Sequence, residues 1–63
     1  MTPDEEARAL GIVAERVRER HPTVDQGEIV QRVQVHAEEF DGRPIRDFVP
    51  LLVERQVLAD LRA

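Results

Sequence analysis

The segment Ile45–Leu61 constrains the fold most, because it has the pattern of one helix with two apolar faces. At about 100° per residue, the first face carries Phe48, Leu51, Leu52, Leu58 and Ala59. The second face is a ridge of valines at i, i+4 and i+8: Val49, Val53 and Val57. A surface helix needs only one apolar stripe to pack on its own chain. The second face therefore predicts a contact with another surface, most economically that of a second copy.

The chain is also too short to bury much apolar surface by itself. Its 63 residues make one domain, and a domain of that size buries only about 60% of the surface that its unfolded chain exposes. Disulfides are excluded because there is no Cys, which leaves oligomerisation and regular helix packing as the stabilising routes. We therefore predict a homodimer, with an interface formed by Val49, Val53 and Val57 together with Ile12 and Val35, which point away from their own helices' apolar stripes.

The first helix is predicted from about Pro3 to Arg20. Thr2 is placed as its N-cap, Pro3 occupies the first helical position, and Glu5 completes a capping box. The core residues predicted in this helix are Leu10, Val13 and Val17.

The second helix is predicted from about Gln26 to Phe40. Pro22 ends the first helix, and two overlapping capping boxes follow, of which the one that begins at Asp25 is preferred to the one that begins at Thr23. Gly42 lies where a helix end commonly requires a left-handed residue. The core residues predicted here are Ile29, Val33, Ala37 and Phe40.

The third helix is predicted from about Asp47 to Arg62. With Asp47 as N-cap, Pro50 falls in the first turn, where no intrahelical N–H bond is required; a start at Pro44 would instead put a kink at Pro50. Ile45 is expected to cover one end of the bundle. The core residues predicted here are Phe48, Leu51, Leu52 and Leu58. Three helices with short connections predict an all-α three-helix bundle in one domain, residues 1–63.

Three segments resemble a known family: His21–Asp25, the Phe40–Gly42 turn, and above all Ile45–Arg55. They are similar to the three-helix bundle dimerisation domain of actinobacteria, which occurs alone and at the N-terminus of arsenate reductases and related low-molecular-weight protein-tyrosine-phosphatase-like proteins. The resemblance implies a helical dimer that presents or pairs a catalytic domain. The phosphatase loop of those relatives needs a Cys nucleophile, which this chain lacks, so their catalysis is not carried over.

The residues that could carry chemistry are few. The chain has no Cys, Ser, Lys or Tyr, and its two hydroxyl side chains, Thr2 and Thr23, are better explained as helix caps, so we predict no enzyme. His36 beside Glu39 could form half a zinc site, but zinc usually takes three or four protein ligands. We expect a half-buried structural His36 with one hydrogen bond, a helix-end role for His21, and no cofactor or metal.

Arg55 falls among Phe48, Leu51 and Ala59, inside an apolar face of the predicted third helix. Its aliphatic stem could cover the core while the guanidinium reaches water, which is the favoured interpretation. The alternative is a buried ion pair with an acidic residue of the first helix or of a second copy.

The charge balance disfavours several classes of partner. A net charge of −4, with nine arginines against 13 acidic residues, argues against a dominant nucleic-acid surface. The sequence contains no apolar run of the roughly 18 residues that a membrane span requires and begins without a signal-peptide pattern, so a cytoplasmic location is expected. The leading hypothesis is a homodimerising interaction module. A regulatory, antitoxin-like partner of a different protein is the alternative, and a helix-turn-helix DNA binder is disfavoured.

Overall fold

The fold is a bundle of three α-helices. A computed structural model describes residues 2–62, in which α1 spans Pro3–Arg20, α2 spans Gln26–Glu38 and α3 spans Val49–Arg62. Each helix packs against both of the others, and this part of the chain contains no strand. The predicted all-α three-helix bundle is therefore confirmed.

The N-terminus of α1 has the predicted capping box. The Thr2 hydroxyl accepts a hydrogen bond from the Glu5 backbone N–H at 3.2 Å, and the Glu5 carboxylate accepts one from the Thr2 backbone N–H at 3.3 Å. Two of the N–H groups that a helix start leaves without intrahelical partners are thereby satisfied. α1 ends at Arg20, as predicted.

The N-cap of α2 is also the predicted one, because the Asp25 carboxylate accepts a hydrogen bond from the Glu28 N–H at 3.3 Å. The end of α2 differs from the prediction: the helix stops at Glu38 rather than at Phe40. Beyond it the chain tightens into turns with hydrogen bonds between residues three apart, such as Phe40 N–H to the Ala37 carbonyl at 3.1 Å. Gly42 then takes a positive φ of 84°, which favours glycine.

α3 begins at Val49, two residues later than predicted. Its first hydrogen bond between residues four apart runs from the Leu52 N–H to the Phe48 carbonyl at 3.0 Å, so Phe48 and not Asp47 stands at the N-cap position. Asp47 instead lies in the preceding turn. Pro50 falls in the first turn of α3 as expected, where its missing N–H leaves no intrahelical bond unmade.

The core lies where α3 packs over α1 and α2. Its buried members are mostly short and β-branched: Val13, Val17, Ile29, Val33, Phe40, Val49, Val53 and Val57. Three other predicted core residues are only partly buried and pack against this cluster: Leu10, Ala37 and Leu58. The predictions for the core of α1 and α2 are therefore close to the observed packing.

Apart from Leu58, the two apolar faces of α3 are the reverse of the prediction. Val49, Val53 and Val57, predicted as the dimer interface, are at most 2% exposed within the single chain. The predicted core residues Phe48, Leu51 and Leu52 are exposed instead. The physical reason is that α3 contacts both other helices at once, and short branched side chains allow a closer approach than Phe and Leu do. Ile45 does not cover an end of the bundle either, since it is 72% exposed.

Candidate functional site

The exposed side of α3 is the main candidate site, and we call it the outer face: Phe48, Leu51, Leu52, Arg55 and Ala59. Leu51 and Leu52 lie three and four residues after Phe48, and Arg55 and Ala59 follow at further three- and four-residue steps, so these positions lie along one side of the helix. Phe48 and Leu51 keep 65% and 53% of their surface exposed, and Leu52 keeps 37%. Three bulky apolar side chains exposed within five residues form the kind of patch that marks an interaction surface.

Ile12 of α1 extends the outer face sideways. It is 57% exposed and lines a shallow groove between α1 and α3, together with Ala9, Pro50 and Leu51. The buried carboxylate of Glu54 also borders this groove, with its Oε1 3.5 Å from the Arg16 Nε. Of the two residues predicted to join the valines in an interface, Ile12 therefore lies beside exposed apolar residues of α3.

Val35, the other residue predicted to join the interface, lies elsewhere. It lines a separate groove between α2 and α3 together with charged and polar side chains that include Glu28, Arg32 and Asp60. The structure thus brings Ile12 next to Leu51 but places Val35 in polar surroundings.

The size of the apolar patch is notable for so small a chain. If a fully exposed large apolar side chain presents roughly 200 Å², the exposed parts of Ile12, Phe48, Leu51 and Leu52 amount to about 400 Å². Monomeric proteins commonly have a largest patch of about 300–600 Å², and patches of that size are often functional. Here it is part of a total surface of only 4677 Å².

Arg55 does not form the buried ion pair with the first helix that was one of the arrangements considered from the sequence. It is exposed in the middle of the outer face. Within residues 2–62 it makes no ion pair. Arg55 is therefore a positive charge beside exposed apolar side chains.

His36 links α2 to α3 through two carboxylates. Its Nε2 lies 2.5 Å from Asp60 Oδ2 and its Nδ1 lies 2.7 Å from Glu39 Oε1. The hydrogen bond to Asp60 raises the pKa of His36 above its ordinary value, with the bond to Glu39 and both negative charges adding to the effect and burial opposing it. The same hydrogen bond lowers the pKa of Asp60, helped by nearby Arg32.

The predicted half-buried, structural His36 thus fits the structure, except that it has two hydrogen-bonding partners rather than one. Both ring nitrogens face carboxylates, an arrangement that suits the doubly protonated imidazolium. In the described part of the chain, no three His, Asp or Glu side chains are arranged to hold a metal ion. The geometry of His36 serves to join two helices.

A second ion pair, which the sequence did not indicate, holds the connector before α3 against α1. The Arg46 guanidinium donates to both carboxylate oxygens of Glu6, at 3.1 Å from Nε and 2.5 Å from Nη2, and also to the Phe40 carbonyl. The hydrogen bond from Arg46 lowers the pKa of Glu6. Because Arg46 lies two residues before Phe48, this contact fixes the start of the outer face.

A larger groove of about 600 Å³ runs between α1 and α2. Small residues line it on α1, namely Ala7, Gly11 and Ala14. Val30 and Ala37 line it on α2, while Glu38 and Arg46 are among the charged residues at its border. A Cβ atom built on Gly11 would meet no atom within 4 Å, so the groove is open at this point.

No protein-family model, curated protein sequence or solved structure matches this chain. The resemblance to an actinobacterial dimerisation domain therefore stays a prediction. Among residues 2–62, no helix is both long enough and apolar enough to cross a membrane.

Proposed function

We propose that this chain is a non-enzymatic protein–protein interaction module that pairs with a second copy of itself through the outer face of α3. The observation that carries the proposal is the exposure of Phe48, Leu51 and Leu52 beside Ile12. The buried core contains none of these four side chains. Their apolar surface is thus available to another molecule without any change in the fold.

A second copy is the simplest partner because it brings an identical apolar patch to a two-fold interface. Charge also permits this approach. The whole chain carries a net charge of −4, yet the outer face contains no acidic residue and one arginine. Two copies that meet through this face keep most of their like charges at its periphery, where salt screens them.

The strength of association follows from the size of the patch. A standard interface buries about 800 Å² on each partner, and the apolar patch of about 400 Å² would form its centre. The surrounding surface, including Arg55 and Ala59, would form the rim. Such an interface lies at the small end of the range of stable protein interfaces, and association also costs rigid-body freedom. We therefore expect a dissociation constant in the micromolar range.

Sedimentation equilibrium of two matched variants tests the proposal. Leu51 and Val35 are both 53% exposed on helices, so Leu51→Glu and Val35→Glu place the same charge at equally exposed positions. At tens of micromolar, we expect the unmodified chain and Val35→Glu to sediment as dimers and Leu51→Glu as a 7.2 kDa monomer. Far-UV circular dichroism verifies that both variants stay helical.

Each other outcome contradicts a defined part of the proposal. An unmodified chain that remains at 7.2 kDa over this range would remove self-association. A dimer that survives Leu51→Glu but dissociates on Val35→Glu would move the contact to the groove between α2 and α3.

Binding of a different protein is the second candidate function, and the groove between α1 and α2 is the observation that favours it. Its small residues Ala7, Gly11 and Ala14 would allow a partner helix to approach closely. Binding of a heterologous protein in a fixed stoichiometry should be lost when Gly11→Leu fills the groove, and it should be retained in the Leu51→Glu variant.

The DNA-binding alternative has less support, because the outer face of α3 is largely apolar.

A further inference from the structure

We propose that the two copies pair with their α3 helices antiparallel, about a two-fold axis close to Leu52, so that Arg55 of each copy lies over Phe48 of the other. This inference rests on the proposed function, because it specifies the geometry of the same interface. It requires no residue beyond those already exposed on the outer face.

The outer face has a polarity along the helix that decides between the two orientations. Its bulky apolar side chains lie at the N-terminal end and Arg55 follows towards the C-terminus, while Arg62 lies beyond the outer face near the end of α3. A parallel pairing would set Arg55 level with Arg55 and Arg62 level with Arg62, with both helix dipoles aligned. An antiparallel pairing separates these like charges and opposes the dipoles.

The position of the axis follows from the apolar residues. Leu51 and Leu52 are adjacent, so an axis close to Leu52 gathers four leucines at the centre of the interface, where contacts are best shielded from water. Phe48 lies four residues before Leu52 and Arg55 lies three residues after it. About this axis, Phe48 of one copy and Arg55 of the other differ in level by one residue, or about 1.5 Å along the helix.

The chemistry of these two side chains suits that position. An arginine guanidinium is attracted to the face of an aromatic ring, and its aliphatic stem covers apolar surface. Phe48 is 65% exposed, and Arg55 has no ion pair with another described residue. The pairing therefore provides a partner for both without breaking a contact of the single chain.

Cysteine cross-linking tests the orientation cleanly, because the chain has no Cys of its own. Under mild oxidation, Leu52→Cys should form a disulfide-linked dimer. Ala59→Cys alone should not, because fourteen residues at 1.5 Å each would separate the two Cα atoms by about 20 Å along the helix, too far for a disulfide. A mixture of Phe48→Cys and Arg55→Cys should form the mixed disulfide.

The possible results separate this inference from the proposed function. Self-linking of Ala59→Cys in a chain that sediments as a dimer would establish parallel pairing and overturn the inference alone. If Leu52→Cys does not cross-link although the dimer persists, the axis does not lie close to Leu52 and the inference fails, while the proposed function is decided separately by Leu51→Glu. An unmodified chain that sediments as a monomer overturns both proposals.

The Arg55 contact has its own test. Arg55→Ala removes two symmetry-related contacts and should raise the dissociation constant of the dimer by roughly tenfold. Arg62→Ala, which removes an arginine beyond the paired region, is the matched control and should change the constant little. Equal effects of the two substitutions would reduce the role of Arg55 to that of a general charge and contradict the position assigned to it over Phe48.

Discussion

Shortening Val53 to alanine distinguishes a core residue from an interface residue on the same helix. Val53 is fully buried at the centre of the valine ridge. Val53→Ala removes two carbon atoms at about 0.8 kcal/mol each, and the cavity that remains adds to the cost. We expect the free energy of unfolding to fall by about 2–3 kcal/mol. Domains commonly have about 0.05–0.15 kcal/mol of stability per residue, or roughly 3–9 kcal/mol for this chain, so the loss is a large fraction.

Leu51→Ala is the matched substitution on the opposite side of α3. Because Leu51 is 53% exposed in the single chain, its truncation should lower the monomer's free energy of unfolding by less than about 1 kcal/mol. The assay is urea denaturation followed by far-UV circular dichroism at two protein concentrations, one below and one above the dissociation constant. Val53→Ala should lower the midpoint at both concentrations. Leu51→Ala should lower it mainly at the higher one, where dimer formation stabilises the native state.

The reasoning would be refuted if Val53→Ala destabilised the dilute chain no more than Leu51→Ala does. It would also be refuted if the effect of Val53→Ala appeared only at the higher concentration. Either result would mean that the valine ridge is buried by a second copy rather than by the other two helices of its own chain.

Two further predictions concern α1 and the link between α2 and α3. Gly11→Ala should raise the free energy of unfolding by up to about 1 kcal/mol, because the added Cβ would meet no neighbouring side chain or helix within 4 Å. Thermal unfolding measures this change, and a loss of stability would contradict an open groove at Gly11. The pKa of His36 is raised above 6.5, so its hydrogen bonds to Asp60 and Glu39, near Arg32, should stabilise the fold fully below about pH 6.5. That contribution is lost as the pH rises through the folded-state pKa of His36. The lowered pKa of Asp60 acts in the opposite direction: its contribution to stability is present above pH 3.8 and is lost as the pH falls through the folded-state pKa of Asp60. The free energy of unfolding can be measured by urea titration between pH 5 and 9, roughly the range in which imidazoles titrate. His36→Gln should make this free energy decline less steeply as the pH rises. An unchanged decline would contradict the link between His36 and Asp60.

The helices and their caps could be predicted because their causes are local. Thr2 and Asp25 each lie three residues before the residue whose N–H they accept, so the sequence spacing alone indicates the contact. The ends of α2 and α3 were less well predicted. At Phe40, turns with hydrogen bonds between residues three apart preserve the apolar spacing while ending the helix.

The assignment of the two faces of α3 could not be made from the sequence alone. A helical wheel gives the angle between Val53 and Leu51, but not which of them points at α1 and α2. That choice depends on how closely three helices can approach, which is a property of all their side chains together. The link from His36 to Asp60 was missed for a similar reason, since its two residues are 24 positions apart and only the fold brings them together.

The most direct test of the central claim is isotope-filtered NMR on a mixture of labelled and unlabelled copies, which detects only contacts between different molecules. The account predicts such contacts between the methyl groups of Leu51 or Leu52 and the ring of Phe48, and none from Val53. Intermolecular contacts from Val53, or none from the outer face at concentrations where the chain is dimeric, would contradict it.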